Sequence, residues 1–511
     1  MKKKLLPLLL TSIFITGCSK TTSFYDKYKN PVLGESDNYR TYYEIFPRSF
    51  ADSNGDYYGD LNGIRNKLDY IENLGFNGIW LTPINATPSY HGYDITDYKK
   101  INPLFGTIDD YKNLIKDCHS RDIKIILDLV LNHTSTEHEW FKKGVKAFKD
   151  QSGEKYADYY NFSLEKSDIY KYYQDGVYYE GGFGSHMPDL NLDSEDVRNE
   201  IKDIIKFYLD MGVDGFRLDA TTWFYSGNNE KNAEFLDFLN KYTKSINPNA
   251  YIVGEAWTSP GEIADLYKSN IDSFFTYTPN PYGTSLLENI NLEDSKGYIN
   301  TLIKYRDLSP SKNPGFFITN HDNPRAANML ASKSNLNRLK FGFGLLQLSS
   351  GTTFTYYGDE IGMTGKNPPD ESVRTAMYWS DDVKELTNNP SGAISEEYAY
   401  PSLKEQVEDK NSLVWYVRDI NRIRNKYLSI RKGNIENLTE NKTVGLMKKS
   451  FENETIYIAI NFNKSGSEQI DLSSLNLAKI TYEEINVSSE KSSLNNKTLT
   501  IPSYGIVIIK G

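Results

Sequence analysis

Apolar residues gather into short runs that recur between about residues 40 and 360, each ending in polar or charged positions. The runs are Tyr42–Phe46, Gly78–Leu81, Lys124–Leu131, Val213–Leu218, Tyr251–Val253, Ser273–Tyr277, Gly315–Ile318 and Thr353–Tyr357. Helix-length stretches with apolar residues at 3.6 spacing lie between most of them, such as Ile64–Leu74 and Tyr111–His119. Strands alternating with helices predict a parallel sheet. Eight such units predict an α/β chain closed into a (β/α)8 TIM barrel.

Two intervals break this rhythm. Residues 134–190, after the third strand, are aromatic and Gly-rich and too long for a simple connection, so they read as an inserted subdomain. After about residue 430 the helical pattern stops. Alternating runs follow at Val444–Phe451, Thr455–Asn461, Glu468–Leu472, Thr498–Ile501 and Gly505–Ile509. They predict an antiparallel β-domain over 431–511. The barrel is thereby assigned to 39–133 and 191–430.

The N-terminus has its own pattern. Lys2, Lys3 and Lys4 precede an apolar stretch from Leu5 to Ile15, too short to span a bilayer, which ends in Ile15-Thr16-Gly17-Cys18. That quartet resembles the lipobox of bacterial lipoproteins, which implies a signal peptide over 1–17 and a lipid on Cys18. The chain would then be exported and membrane-anchored, at the cell surface or in the periplasm. Residues 18–38 are polar and unpatterned and read as a tether. Cleavage would remove three lysines and leave the rest more negative than the full chain's −10. Such a charge excludes nucleic acid as a partner. Two cysteines provide no disulfide framework. Cys118 reads as a buried apolar residue, His119 as a helix-end cation and His138 as a surface residue. Oligomeric state stays open.

The strand ends carry the candidate chemistry. The third runs into Asp128-Leu129-Val130-Leu131-Asn132-His133, the fourth into Gly215-Phe216-Arg217-Leu218-Asp219, the fifth into Gly254-Glu255-Ala256-Trp257 and the seventh into Thr319-Asn320-His321-Asp322. In a barrel these ends share one mouth. Glycosidic hydrolysis needs one carboxylate to attack the anomeric carbon and one acid to protonate the departing oxygen. Arg217, two residues before Asp219, points into the same interior and favours the ionised nucleophile. That leaves Glu255 as acid/base. The 39 tyrosines suit a sugar ligand, though base composition of the gene explains them as readily.

In that order, DLVLNH, GFRLD, GEAW and TNHD resemble the signature regions of the α-amylase superfamily of glycoside hydrolases (family 13), from about residue 39 to the C-terminus. The resemblance implies Asp219 as nucleophile, Glu255 as acid/base and Asp322 as transition-state stabiliser. Arg217, His133 and His321 would hold the sugar at the cleavage site and Tyr93 would stack on it. Asp128 and Asn132 match largely structural positions. The segment Asp52 to Asp60 places oxygen ligands at alternate positions, as a Ca2+ loop does, although Gly63 stands where an EF-hand has its glutamate. It resembles the family's structural Ca2+ loop, with Asp52, Asn54, Asp56 and Asp60 giving side chains and Tyr58 its carbonyl.

Specificity signals are mixed. The Met187-Pro188-Asp189-Leu190-Asn191 segment joins a PDLN core seen in oligo-1,6-glucosidase-like members to a methionine seen in polyspecific amylases. Thr222 and Trp223 replace the Lys-His of many amylases. The Val373–Trp379 segment resembles an α-glucosidase-like motif in which Arg374 and Asp94 clamp a non-reducing end. Trp257 reads as a sugar platform or as a wall beside Glu255. The expected substrate is an α-glucan of the starch or maltodextrin type, cleaved with retention by an α-amylase. An exo-acting oligo-1,6-glucosidase, an α-glucosidase or a neopullulanase is the alternative within the family. A non-catalytic, tethered glucan-binding lipoprotein is the alternative outside it, and the complete carboxylate set argues against that.

Overall fold

The computed structural model describes residues 23–510 except 27, 281, 310, 331–333, 476 and 486. The proposed lipidation residue Cys18 and the signal segment lie outside the described residues. Eight strands form the barrel: β1 (Thr41–Ile45), β2 (Gly78–Leu81), β3 (Lys124–Leu129), β4 (Gly215–Leu218), β5 (Tyr251–Gly254), β6 (Ser273–Phe274), β7 (Gly315–Phe316) and β8 (Thr352–Tyr356). Their order is β6-β5-β4-β3-β2-β1-β8-β7, all pairs parallel. A parallel bridge between Phe275 and Gly315 joins the two ends of that sheet. β6 and β7 are shorter than the apolar runs predict, with single bridges in place of a continued ladder beyond Phe274.

Strand alternation sorts the side chains. Tyr42, Trp80, Ile126, Tyr251, Val253, Phe275, Tyr277, Phe317 and Phe354 make one buried cluster inside the barrel. Tyr42 stacks between Tyr251 and Phe354, with ring centroids 5.6 and 5.1 Å away. On several strands the inward position one step further toward the carboxyl end is polar: Glu44 after Tyr42, Asp128 after Ile126, Glu255 after Val253. An aromatic floor thus lies directly beneath a polar layer. The alternate residues, such as Tyr43, Ile79, Phe216 and Ile252, face the outer helices and belong to the main core.

The helices carry their own start signals. Thr107 and Asp110 form a capping box for Ile108–His119, and Ser259 and Glu262 do the same for Pro260–Leu266. The helix expected over Ile64–Leu74 is two short helices, Leu61–Asn66 and Leu68–Asn73, because Lys67 leaves helical geometry and lays its ammonium over the Trp379 ring at 4.1 Å. Cys118 is buried, and His119 pairs with Asp214 at 2.8 Å. His138 is not a surface residue. It is buried, accepts from the Trp140 N–H as the cap of Glu139–Asp150, and lies against the Trp140 ring.

Residues 134–190 supply that helix and a three-stranded sheet of Phe162–Ser163, Tyr170–Gln174 and Val177–Glu180. After the barrel, two antiparallel sheets enclose a separate apolar cluster that includes Leu446, Leu499 and Val507. They contain all five expected strands and three the sequence pattern missed, Asn434–Asn437, Thr481–Ile485 and Ser493–Asn495, which are short and mostly polar. Lys449 leaves this domain fully buried, donating to the Ser350 hydroxyl at 2.9 Å and the Ile430 carbonyl at 3.0 Å.

The stretch read as a tether is not free over residues 23–38. Phe24 and Leu33 are buried, and Phe24 meets Trp415 edge-on with ring centroids 5.4 Å apart. Asn30 donates to the Phe76 carbonyl at 2.7 Å, and Asp37 pairs with Lys432 at 2.9 Å. A few apolar and amide anchors in a polar segment suffice to dock it, and periodicity does not register them. Among the described residues no helix is long and apolar enough to cross a membrane.

Candidate active site

The polar layer converges on one guanidinium. Arg217 has no solvent exposure. Its Nη1 donates to Asp128 Oδ1 at 2.8 Å and to Asp219 Oδ1 at 2.6 Å, and its Nη2 meets Glu255 Oε1 at 2.8 Å. The sequence paired this cation with Asp219; in the structure three carboxylates share it. Asp128 is therefore central to the charge balance. It also accepts from the Tyr93 hydroxyl at 2.9 Å and the Trp80 indole at 3.3 Å.

Glu255 is held by backbone as well. Its Oε2 accepts from the Ala220 N–H at 3.0 Å, and its Oε1 from the Tyr277 hydroxyl at 3.2 Å. Ala220 sits at φ 48, a left-handed conformation that turns its N–H back toward Glu255. Burial pushes the Glu255 carboxyl up to about 7, with Arg217 opposing and Asp219 and Asp322 adding to the rise. Burial also raises Asp219 above the usual carboxylate range, while Arg217 draws it back.

Asp322 lies opposite, between Arg374 Nη2 at 2.8 Å and His321 Nε2 at 3.1 Å. Burial works to raise its carboxyl, but His321, Arg374 and Arg217 outweigh that and hold it below the usual range. His321 is fully buried, stacks on Tyr93 with the rings 6° from parallel, and is pushed down to about 3 by desolvation. His133 donates its Nε2–H to the Tyr93 carbonyl at 3.2 Å, and burial lowers its pKa to about 4.

These groups border a pocket of about 470 Å³. Tyr93, His133, Asp219, Glu255, Trp257, Asp322 and Arg374 line it, as the sequence anticipated. Asp94 does not join Arg374: its Oδ1 accepts from Thr87 at 2.7 Å and from Ser89, whereas Arg374 takes Asp370 at 2.6 Å and the Tyr90 hydroxyl at 3.1 Å. Sequence reasoning missed Asp370, His91 and, as the Arg374 partner, Tyr90, which lack a strand-end position, and Phe183 from the inserted subdomain; Met187, read as a specificity signal, lines the pocket. It also missed Glu44, although an acid inside the apolar run Tyr42–Phe46 was a legible signal. Trp223 and Phe183 are 45% and 41% exposed with ring centroids 5.0 Å apart, and Trp257 lies over Tyr277 at 4.8 Å. Aromatic faces left open at a pocket rim suit the C–H faces of sugar rings.

The Asp52–Asp60 loop lies outside this pocket. Asp52 accepts from the backbone N–H groups of Asn54, Gly55 and Tyr57, and Asp56 accepts from that of Tyr58. Asp60 accepts from Ser53 and caps the following helix through the Gly63 N–H. Among the described residues no three His, Cys, Asp or Glu side chains converge as a metal group. The donor chemistry still fits a hard cation. Every expected ligand is an oxygen, carboxylates retain unused lone pairs, and none of the three aspartates forms an ion pair with Lys or Arg among the described residues.

Comparison with known proteins agrees with this arrangement. A family model described as "Alpha amylase, catalytic domain" matches residues 44–433. "Alpha-amylase 3" of Dictyoglomus thermophilum is 38% identical over 437 residues, covering 83% of this chain and 84% of that protein. "Glucan 1,6-alpha-glucosidase" of Streptococcus pneumoniae is 30% identical, covering 84% of this chain and 91% of that protein. The structure of "Eubacterium rectale Amy13B" superposes with a TM-score of 0.89 at 37% identity, covering 94% of this chain and 97% of that one. Given the closed eight-stranded barrel and the carboxylates gathered at its mouth, the chain belongs to the alpha-amylase family and is a glycoside hydrolase.

Proposed function

We propose that this enzyme is an exported, lipid-anchored α-amylase that cleaves internal α-1,4 bonds of starch and maltodextrins with retention of configuration. The observation that carries the chemistry is the bridging of Asp219 and Glu255 by one buried guanidinium at the pocket floor. Two carboxylates on neighbouring nitrogens of one group favour the short spacing of a retaining pair over the wider spacing that admits a water between them. Asp219 attacks the anomeric carbon while Glu255 passes its proton to the departing oxygen, leaving a glycosyl ester on Asp219. Glu255, now ionised, takes a proton from water, whose oxygen opens the ester and frees Asp219. Asp322, kept anionic by Arg374 and His321, faces the positive charge that develops on the sugar ring in the transition state of each step.

Internal cleavage is supported by the exposed Trp223, Phe183 and Trp257, which offer stacking faces beyond the cleaved bond. The second reading, exo action on 1,6-linked oligosaccharides, is favoured by Arg374 being clasped by Asp370 and Tyr90 beside the pocket. Maltoheptaose, soluble starch, panose and isomaltose separate the two. Mixed short maltodextrins, released as the α-anomer by proton NMR and absent with Asp219→Asn, are the expected outcome. Glucose alone from the first minute, or cleavage of isomaltose only, overturns the internal-cleavage reading.

Because Glu255 must be protonated to donate and Asp219 ionised to attack, kcat/KM follows a bell: its alkaline limb bends near pH 7 and falls about tenfold per unit above that, and its acid limb reports Asp219. Asp128 is also pushed up to about 7, by burial against the pull of Arg217, but does not line the pocket. In Glu255→Gln, assayed with an activated aryl glucoside that needs no proton, the alkaline limb disappears. Its persistence would assign the limb to another group.

The Asp52–Asp60 loop is proposed to bind a structural Ca2+ through Asp52, Asn54, Asp56, Asp60 and the Tyr58 carbonyl. Calcium at a hundredfold excess over its Kd then stabilises the fold by about 2.7 kcal/mol. Chelation lowers Tm accordingly, and Asp52→Ala removes the calcium response. A Tm indifferent to both leaves the loop as a plain Asx-turn structure.

Anchoring through Cys18 is supported by the Lys-rich start, the apolar stretch and the Ile15–Cys18 quartet. Radiolabelled palmitate incorporation into the wild type but not into Cys18→Ala is the expected result; label in both, or in neither, counts against it.

A further inference from the structure

Glu44 is a carboxyl of the polar layer without a role in the mechanism above. It lies at the end of β1, side chain 1% exposed, and its Oε1 is 2.6 Å from His321 Nδ1 and 3.2 Å from the His321 backbone N. Its Oε2 is buried with no hydrogen-bond partner. An ionised carboxylate with a bare buried oxygen is costly, so the environment favours the neutral acid.

The hydrogen-bond accounting around His321 leads to the same result. Nε2 faces Asp322 Oδ2 at 3.1 Å and the Tyr93 oxygen at 2.6 Å. Tyr93 has a single hydroxyl proton, and Asp128 at 2.9 Å claims it. If Nε2 were bare, its lone pair would meet the Asp322 carboxylate and the Tyr93 lone pairs, all acceptors. Nε2 must therefore carry the hydrogen. In the neutral ring Nδ1 is then bare, and at 2.6 Å it faces a carboxyl oxygen. Only a carboxylic acid supplies a hydrogen to that contact.

We propose that Glu44 is a positioning residue which, as a carboxylic acid, donates to His321 Nδ1 and so fixes the tautomer that presents Nε2–H to Asp322 and the Tyr93 oxygen. It touches no substrate; it acts through His321. The groups facing it are His321 and Asp322 from the loop after β7, Asp128 of β3 and Arg217 of β4. The carboxyl stands well above its ordinary range chiefly through burial, which agrees with the accounting. The inference rests on the active-site reading, and failure of that reading is separable, since inactivity of the wild type on every α-glucan would show it.

The test compares Glu44→Gln with Glu44→Leu. A glutamine amide is a neutral donor of the same length and keeps the Nδ1 contact, so Glu44→Gln retains kcat within about threefold. Glu44→Leu fills the space without a donor, frees the tautomer, and lowers kcat about 10- to 100-fold, the size of effect seen when the partner orienting a histidine is removed. KM follows less, and Tm of both variants establishes folding. Nitrogen-15 NMR of His321 reads the ring directly: Nε2–H is expected in the wild type and in Glu44→Gln. A doubly protonated ring, with Glu44→Gln as damaging as Glu44→Leu, replaces the proposal with an ion pair. Full activity in both variants, or an Nδ1–H ring in the wild type, also overturns it. If Glu44→Leu does not fold, the glutamine variant and the NMR of the wild type still decide.

Discussion

A guanidinium with no access to water, shared by three carboxylates, sets the terms for the rest of this site. Arg217 cannot lose its proton, so its burial is tolerable only with anions around it, and those anions are tolerable only with Arg217 among them. Removing one partner of such a group costs about 3–5 kcal/mol because the remaining charges stay buried and unpaired. Three negative charges against one positive leave an excess that low polarity magnifies. Burial disfavours the charged forms, neighbouring carboxylates add to that, and Arg217 only partly opposes it, so Glu255 and Asp128 are both pushed up to about 7. A proton held near neutrality beside the scissile bond is what general acid catalysis requires.

The second cation pulls the other way. Arg374 joins Asp322 to Asp370, so the catalytic carboxylate outside the Arg217 ion pairs still has a positive partner and stays ionised. Burial acts on all of these carboxyls, and the local distribution of cations separates them into one poised to give a proton and one that keeps its charge. The aromatic floor makes this possible. Tyr42, Phe354, Tyr251 and Trp80 fill the barrel beneath the polar layer and exclude water from its lower side.

Around this centre the fold is a set of supports. β1, β3, β4 and β5 each deliver one member of the polar layer, and the long loop after β3 adds Phe183 and Met187 to the pocket wall. The segment over 23–38 and the C-terminal sheets are fastened elsewhere on the barrel, by buried amides, by Asp37 and by Lys449. They bear on stability rather than on the reacting atoms.

Much of this could be read from the residues in order. Eight apolar runs with polar ends identified the barrel, because the strand period and the need to bury both faces of a parallel sheet leave a local signature. The acids and the arginine at the strand ends identified the mouth, because alternation sends residues two apart to the same side. The docking of 23–38, the break at Lys67, the burial of His138 and the small polar strands of the last domain escaped, since each depends on a partner distant in the chain. The same holds for the charge balance. That Asp219 follows Arg217 by two residues is sequence; that Asp128 and Glu255, 89 and 38 positions from that arginine, compete for it is geometry. Sequence by itself determined the fold class and the chemical groups at the mouth, through local periodicity. Tertiary structure alone decided how those groups share protons and cations, because burial and electrostatic coupling are set by distances in space.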